Sequence, residues 1–443
     1  MTEAGLQHYL DLAERFQAER AAGAPAWLRT LRQEGIAQLA RQGFPTSRNE
    51  DWKYTNVAPI TGHAFCPVRT VHEAGVEAAV ARLALPGTGP LAVFVDGWFV
   101  RELSRLEGAP EGLSVRSLRE ALTKDGEGLE AVVGQRARAE SNGFTALNAA
   151  LLEEGAVVRV APGTVCPEPV QLLFLTRGDN TVALASPRVV VVAGENSELT
   201  LVESYVGAAP GVSFTNAVTE VVLGAGARVT HLKLQAESET AFHIGALHVS
   251  QGRDSRFASH VISLGGALAR NEVHAHFAAE GGECTLNGLY VGHGSQHLDN
   301  WTNLDHAHPR CTSRELYKGV LDDKARGTFH GKVLVRPDAQ RTDARQSNRN
   351  LLLSEAAMAD ARPQLEILAD DVKCAHGATV GRLDEQALFY LRSRGIPRAD
   401  AEWLLTHAFA TEVVGAVPLA PLREQVELLL ARKLPGSSKE GRA

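Results

Sequence analysis

The chain has 443 residues, a formal charge of −7 and the composition of an ordinary globular protein, enough for about three domain-sized units. No basic stripe with interleaved aromatics points to nucleic acid, and no apolar run approaches the roughly 18 residues of a membrane span. The five cysteines, Cys66, Cys166, Cys284, Cys311 and Cys374, are scattered and form no C-x-x-C, which argues against a disulfide framework or a self-contained zinc site and for a reducing, cytoplasmic setting.

The opening "MTEAGLQHYLDLAERF" lacks the basic-then-apolar order of a secretory signal. It reads as a helix, with Leu6, Leu10, Ala13 and Phe16 at helical spacing. "AAGAP" (21–25) breaks the run, and Trp27, Leu28, Leu31, Ile36 and Leu39 resume it up to Gly43 and Pro45. Residues 57–115 are mixed, with one strand expected in "LAVFVDGWFV" (91–100). Ser117 and Glu120 have capping-box spacing, and "FTALNAALLEEG" (144–155) reads as a helix ending at Gly155. Residues 1–155 thus form an N-terminal helical and mixed region.

From residue 156 helical spacing gives way to short alternating runs divided by turn residues. The pieces line up in steps of 14: "GAGARVTHLKL" from 224, "SETAFHIGALHV" from 238, "GRDSRFASHVISL" from 252, "GALARNEVHAHF" from 266 and "EGGECTLNGLYV" from 280. A fixed period marks a solenoid, and two steps would make one coil of about 28 residues. The expected core, 156–381, is therefore a β-helix; a long antiparallel sandwich is the competing arrangement. After Gly381, Asp384 can cap "EQALFYLRSR", Pro397 opens a second helix and "REQVELLLARKL" (423–434) is a third. These make a C-terminal helical domain over 382–434, and 435–443 reads as a disordered tail.

Several side-chain groups could carry chemistry. His274 and His276 share one face of a strand and Glu280 follows, a donor set suited to a divalent metal, although two strand histidines are more commonly structural. Asp305, His306, His308 and Cys311 in "NLDHAHPRC" have ligand chemistry without a recognisable ligand spacing. Cys284 sits in the repeat as a small core residue, and Cys66 and Cys166 adjoin prolines in loops. Cys374 and His376, in "DVKCAHGATVG" (371–381), fall where the β region ends. Two positions apart, they lie on one side of an extended segment. They suit a nucleophile with its base, two ligands of an iron or zinc site, or a structural pair.

"SRNEDWKYTN" (47–56), "RTDARQSNRNLLLSEAAMADARPQLEI" (341–367) and "DVKCAHGATVG" with the following "LDEQALFYLRSRGI" (383–396) resemble the SufB/SufD family of iron–sulfur cluster assembly scaffolds. The resemblance runs over nearly the whole chain. It implies a right-handed parallel β-helix between N- and C-terminal helical regions. Where SufB-like members carry a cysteine in "FYLRSRGI", this chain has Leu391, and its "KCAHG" form resembles the SufD-like branch. That branch implies a non-catalytic scaffold subunit that pairs with SufB and docks the ATPase SufC through its C-terminal helices. It also implies a transient iron or iron–sulfur cluster shared with SufB, for which His376 matches the family's important histidine and Cys374 a neighbouring position. A polysaccharide-acting β-helix enzyme, or a mononuclear metalloenzyme using His274, His276 and Glu280, are the readings from other classes.

Overall fold

A computed structural model describes residues 3–68, 75–124, 128–178 and 182–434. The expected disordered tail, 435–443, lies outside the described residues. The middle of the chain winds as a parallel β-helix of two facing sheets. Sheet 1 contains, in spatial order, Ser213–Leu223, Phe242–Gln251, Leu268–Phe277, His297–His306, Arg326–Val335 and Met358–Ile367. Sheet 2 contains Arg228–Ala236, Arg256–Ser263, Glu283–Gly292, Thr312–Leu321, Asp343–Leu352 and Lys373–Gly381. Each of these strands pairs in parallel with the strand one coil away, which rules out the antiparallel sandwich.

The coil length follows the sequence period with local drift. Phe214 pairs with Phe242, 28 positions on, and Leu268 with His297, 29 on. The strands stay in register because the turns absorb the differences. One corner recurs in six successive coils as a left-handed residue: Asn196, Gly226, Asp254, Gly281, Arg310 and Arg341, with φ between 53° and 75°. Asn, Asp and Gly adopt this region at little cost, whereas Arg310 and Arg341 do not. The corners are tied coil to coil, as where the Arg341 N–H donates to the Asp371 carbonyl at 2.6 Å.

Alternation sends one set of side chains inward and the other outward. Inside, Val221, Val249, Ala275, Leu304 and Val333 stack over one another along sheet 1. Outside, each sheet carries a helical cover. Phe214, Phe242, Ile244 and Leu268 pack against Tyr9, Phe44, Trp52, Phe65 and Phe144 of the N-terminal region. On the opposite flank, Val202, Leu232, Ile262, Leu289 and Val320 pack against Ala410, Val413, Val414, Leu422 and Val426 of helices Arg398–Val414 and Ala420–Lys433.

Two expected elements differ. The strand expected over 91–100 is a hairpin, Leu91–Val95 and Trp98–Phe99, because Asp96 and Gly97 take φ of 47° and 90° and reverse the chain. The helix expected to end at Gly155 stops at Ala150, after an N-cap in which the Asn142 side chain accepts from the Phe144 and Thr145 N–H groups. Gly155 instead opens the strand Gly155–Val160, where a Cβ would lie 1.9 Å from the Arg188 carbonyl oxygen. The Ser117 cap forms as expected, accepting the Glu120 N–H at 3.1 Å. Strands Leu91–Val95 and Leu113–Ser117, ahead of residue 156, join sheets 2 and 1.

Candidate metal centre at the open end of the β-helix

Cys374 and His376 stand on Lys373–Gly381, the last strand of sheet 2. Cys374 is in register with Ala344 and His376 with Gln346. Ala344 and Gln346 point inward and are buried, so Cys374 and His376 continue the inward columns at the mouth of the solenoid. No further strand covers them. Cys374 is half-buried against the core, and burial pushes its thiol above the usual range. It is therefore a poor free nucleophile at neutral pH; a metal or a nearby imidazolium would have to draw out the thiolate. His376 is exposed.

The donor set fits the iron chemistry expected of it. A soft thiolate and an imidazole suit iron, but common clusters take about four ligands. Among the described residues no group of three or more His, Cys, Asp and Glu side chains converges as a metal site. Leu391 stands on helix Glu385–Ser393 and adds an apolar side chain, not a ligand.

The other sequence candidates are dispersed. His274 and His276 point outward from sheet 1. The ring of His274 stacks on His248 at 4.3 Å and meets Trp301 at 4.7 Å. His276 Nδ1 lies 2.9 Å from Asp305, which Arg336 also holds. Burial alone would raise the Asp305 carboxyl; the hydrogen bonds from His276 and Arg336 outweigh it and hold the group low. Glu280 is taken up by Arg253 and Arg310. His306 turns inward, with Nε2 3.0 Å from the Ser313 hydroxyl, while Cys311 is buried against backbone carbonyls. Cys284 is buried inside, as expected, with its thiol raised by burial.

The sequence reading missed a polar interior. Glu203, His231, Lys233, Gln235 and Glu237 occupy inward or turn positions where a solenoid would ordinarily place apolar residues. Lys233 Nζ donates to Asn271 Oδ1 at 2.7 Å and lies 2.9 Å from His243 Nε2. Burial lowers the ammonium to about 8 against the opposing pull of Glu203 and Glu237. Further along, burial pushes the Glu315 carboxyl up to about 7. The signal was present as charged residues at alternate strand positions, but alternation alone does not say which face is inside.

The motif at 47–56 also finds its place. Trp52 lies under the Arg270 guanidinium, 3.8 Å from ring centroid to carbon, and Glu50 pairs with Arg362 of the last sheet 1 strand. Two family models match the chain: the SufBD protein N-terminal region over residues 3–172, and the SufBD core domain of SUF-system FeS cluster assembly over residues 174–409. The chain is similar to an iron–sulfur cluster assembly SufBD family protein of Synechocystis, 34% identical over 400 residues and 88% of each chain. It is 33% identical to the iron–sulfur cluster assembly protein SufD of Escherichia coli over 429 residues, 96% of each chain. SufD of Bacillus subtilis is 31% identical over 301 residues, 67% of this chain and 68% of that one. A matching fold, matched N-terminal and core regions and these relatives lead to one conclusion: the chain belongs to the SufBD family of SUF-system iron–sulfur cluster assembly proteins, as a SufD-type member.

Proposed function

We propose that this chain is a non-catalytic, cytoplasmic scaffold subunit that pairs with a SufB chain through its last coil and docks the ATPase SufC through its C-terminal helices. The division of labour follows the sequence: 1–155 braces one flank, 156–381 presents the site, and 382–434 serves SufC. Iron or an iron–sulfur cluster is the cargo. His376 and Cys374 hold it transiently with ligands from SufB, and the isolated chain retains none.

The observation that carries this reading is the exposure of the last coil. Four large apolar side chains stand exposed on it, Met358, Ile367, Leu368 and Val380, and two more, Phe389 and Tyr390, on the helix Glu385–Ser393 that follows. An apolar patch beside open strand edges marks a partner surface. For SufC, helices Arg398–Val414 and Ala420–Lys433 offer a narrow apolar surface. Much of their apolar content covers sheet 2, which leaves Leu404 and Leu428 exposed.

The test is anaerobic reconstitution of the isolated chain beside the full complex, with iron and sulfide counted after desalting. His376→Ala is expected to leave complex assembly and ATP hydrolysis intact while cutting iron incorporation, with Cys374→Ala costing less. A stoichiometric cluster retained by the isolated chain, or full yield from the complex carrying His376→Ala, overturns the reading.

A further inference from the structure

We infer that Gln346 is a positioning residue for the His376 imidazole, held in place by Glu315 one coil deeper; this rests on the metal reading of His376 proposed above. Leu286, Glu315, Gln346 and His376 form one inward column in sheet 2, each in register with the next. Three of its members are polar, and the column ends at the mouth.

The Gln346 amide is fixed from behind. Its Nε2 donates to Glu315 Oε2 at 2.7 Å, and both side chains are buried. Space for it is provided from the facing sheet by Gly331, where a Cβ would lie 2.3 Å from Gln346 Nε2 and 2.8 Å from Phe329. A larger residue there would displace the amide. With Nε2 turned to Glu315, the acceptor Oε1 remains, and it is buried without a partner. An orphaned buried acceptor is costly, on the order of 1–3 kcal/mol, and it persists where a partner has yet to arrive.

The next rung of the column is His376, and no other strand stands between them. A ring N–H of His376 donating to Gln346 Oε1 would fix the tautomer and present the other ring nitrogen at the mouth. That is the arrangement by which ligand histidines are oriented: the ring nitrogen not facing the metal donates to a fixed acceptor. A glutamine suits this better than a carboxylate because its orientation is set by the donor end. Glu315 sets it by accepting from Nε2 and leaves Oε1 no choice of direction.

The test uses the full chain and the full complex with ferrous iron as the probe. Gln346→Leu keeps approximate volume and removes the acceptor; Gln346→Glu restores an acceptor; His376→Ala is the reference. Selective 15N labelling of histidine, with His376 assigned by its loss in His376→Ala, reads the tautomer in the isolated chain. Gln346→Leu is expected to shift the His376 tautomer populations and to weaken ferrous iron binding by the complex about 10–100-fold. Gln346→Glu, whose carboxyl must share one proton with Glu315 in place of the Nε2 donor, should restore only part of both, and all variants should keep the wild-type circular dichroism. An unchanged His376 tautomer in folded Gln346→Leu overturns the inference, whatever the iron result. If His376→Ala binds iron normally, the metal reading fails separately, and the tautomer result still decides whether Gln346 orients the ring.

Discussion

The Thr55 hydroxyl donates to Asp299 Oδ2 at 2.5 Å, joining residues 244 positions apart. Arg270 binds the same carboxylate oxygen and lies over Trp52. A short N-terminal segment is thereby latched onto the outer flank of sheet 1 through a fully buried carboxylate. Asp299 Oδ1 has no partner of its own, so the Thr55 bond carries much of the satisfaction of this group.

Thr55→Val should therefore destabilise the chain by about 1–3 kcal/mol, the cost of leaving a buried acceptor short of a donor. Thermal unfolding of the variant and wild type checks this. Equal melting temperatures would mean that Arg270 alone suffices for Asp299.

The last sheet 2 strand offers a directional test of partner pairing. The Lys373 N–H donates to the Thr342 carbonyl, so by alternation the N–H groups of Cys374, His376, Ala378 and Val380 face the open side. On sheet 1 the Met358 N–H donates to Ala325, which places Pro363, without a donor, toward the open side. Ala378→Pro should weaken pairing with SufB while leaving the fold intact, whereas Ala375→Pro should disturb the chain's own ladder. Pull-down and circular dichroism separate the two. Normal pairing by folded Ala378→Pro would exclude strand addition at this edge.

Leu404→Lys and Leu428→Lys should each reduce SufC binding without altering SufB pairing or stability, since both side chains lie on the exposed sides of helices whose other sides are buried. Titration calorimetry with purified SufC is the measurement. Unchanged affinity in the double variant would move the SufC surface elsewhere, with Phe389 and Tyr390 as the next candidates.

Glu315 makes stability depend on pH in a defined direction. Its carboxyl is raised from the ordinary 4.5 to about 7, so between these values the folded state binds more protons than the unfolded one. The stability it contributes is present below about pH 4.5 and is lost as pH rises through about 7, with a span on the order of 3 kcal/mol. Glu315→Gln should flatten that part of the profile, raising stability at pH 8 relative to pH 5. Denaturant unfolding at the two pH values shows whether it does.

At the Arg341 corner, φ of 61° strains a side-chain-bearing residue of a type that seldom adopts it. Its pairing with Asp371 is exposed and long, at 3.8 Å. Arg341→Gly should keep the backbone bond to Asp371 and stabilise the chain by up to about 1 kcal/mol, read as a higher melting temperature. A loss of stability would mean that the arginine's contacts outweigh the strain.

The solenoid was legible because turns and strands recur together. Asn196, Gly226, Asp254 and Gly281 are turn-type residues at one corner, and a period survives small changes in coil length. What sequence could not supply was facing. His274 and His276 share a side with each other in either orientation, and only the stacked coils show that this side is outward, with Asp305 and Trp301 already engaging them. Cys374 and His376 stood out as candidates by local chemistry and by resemblance to a known family. The column behind them was invisible because Gln346 and Glu315 lie 30 and 61 positions before His376, and register alone brings them into line.

The coil that bears His376 rests on one neighbour, while those within the stack rest on two. In a repeat built of nearest-neighbour contacts, such an end opens locally at a lower free energy than the interior. Amide exchange should accordingly be fastest in 358–381 and slow progressively toward the middle. A chain laid against the open edges would turn this terminal coil into an internal one and give its side chains a fixed backbone. Order at Cys374 and His376 would then arrive with the second chain and leave with it.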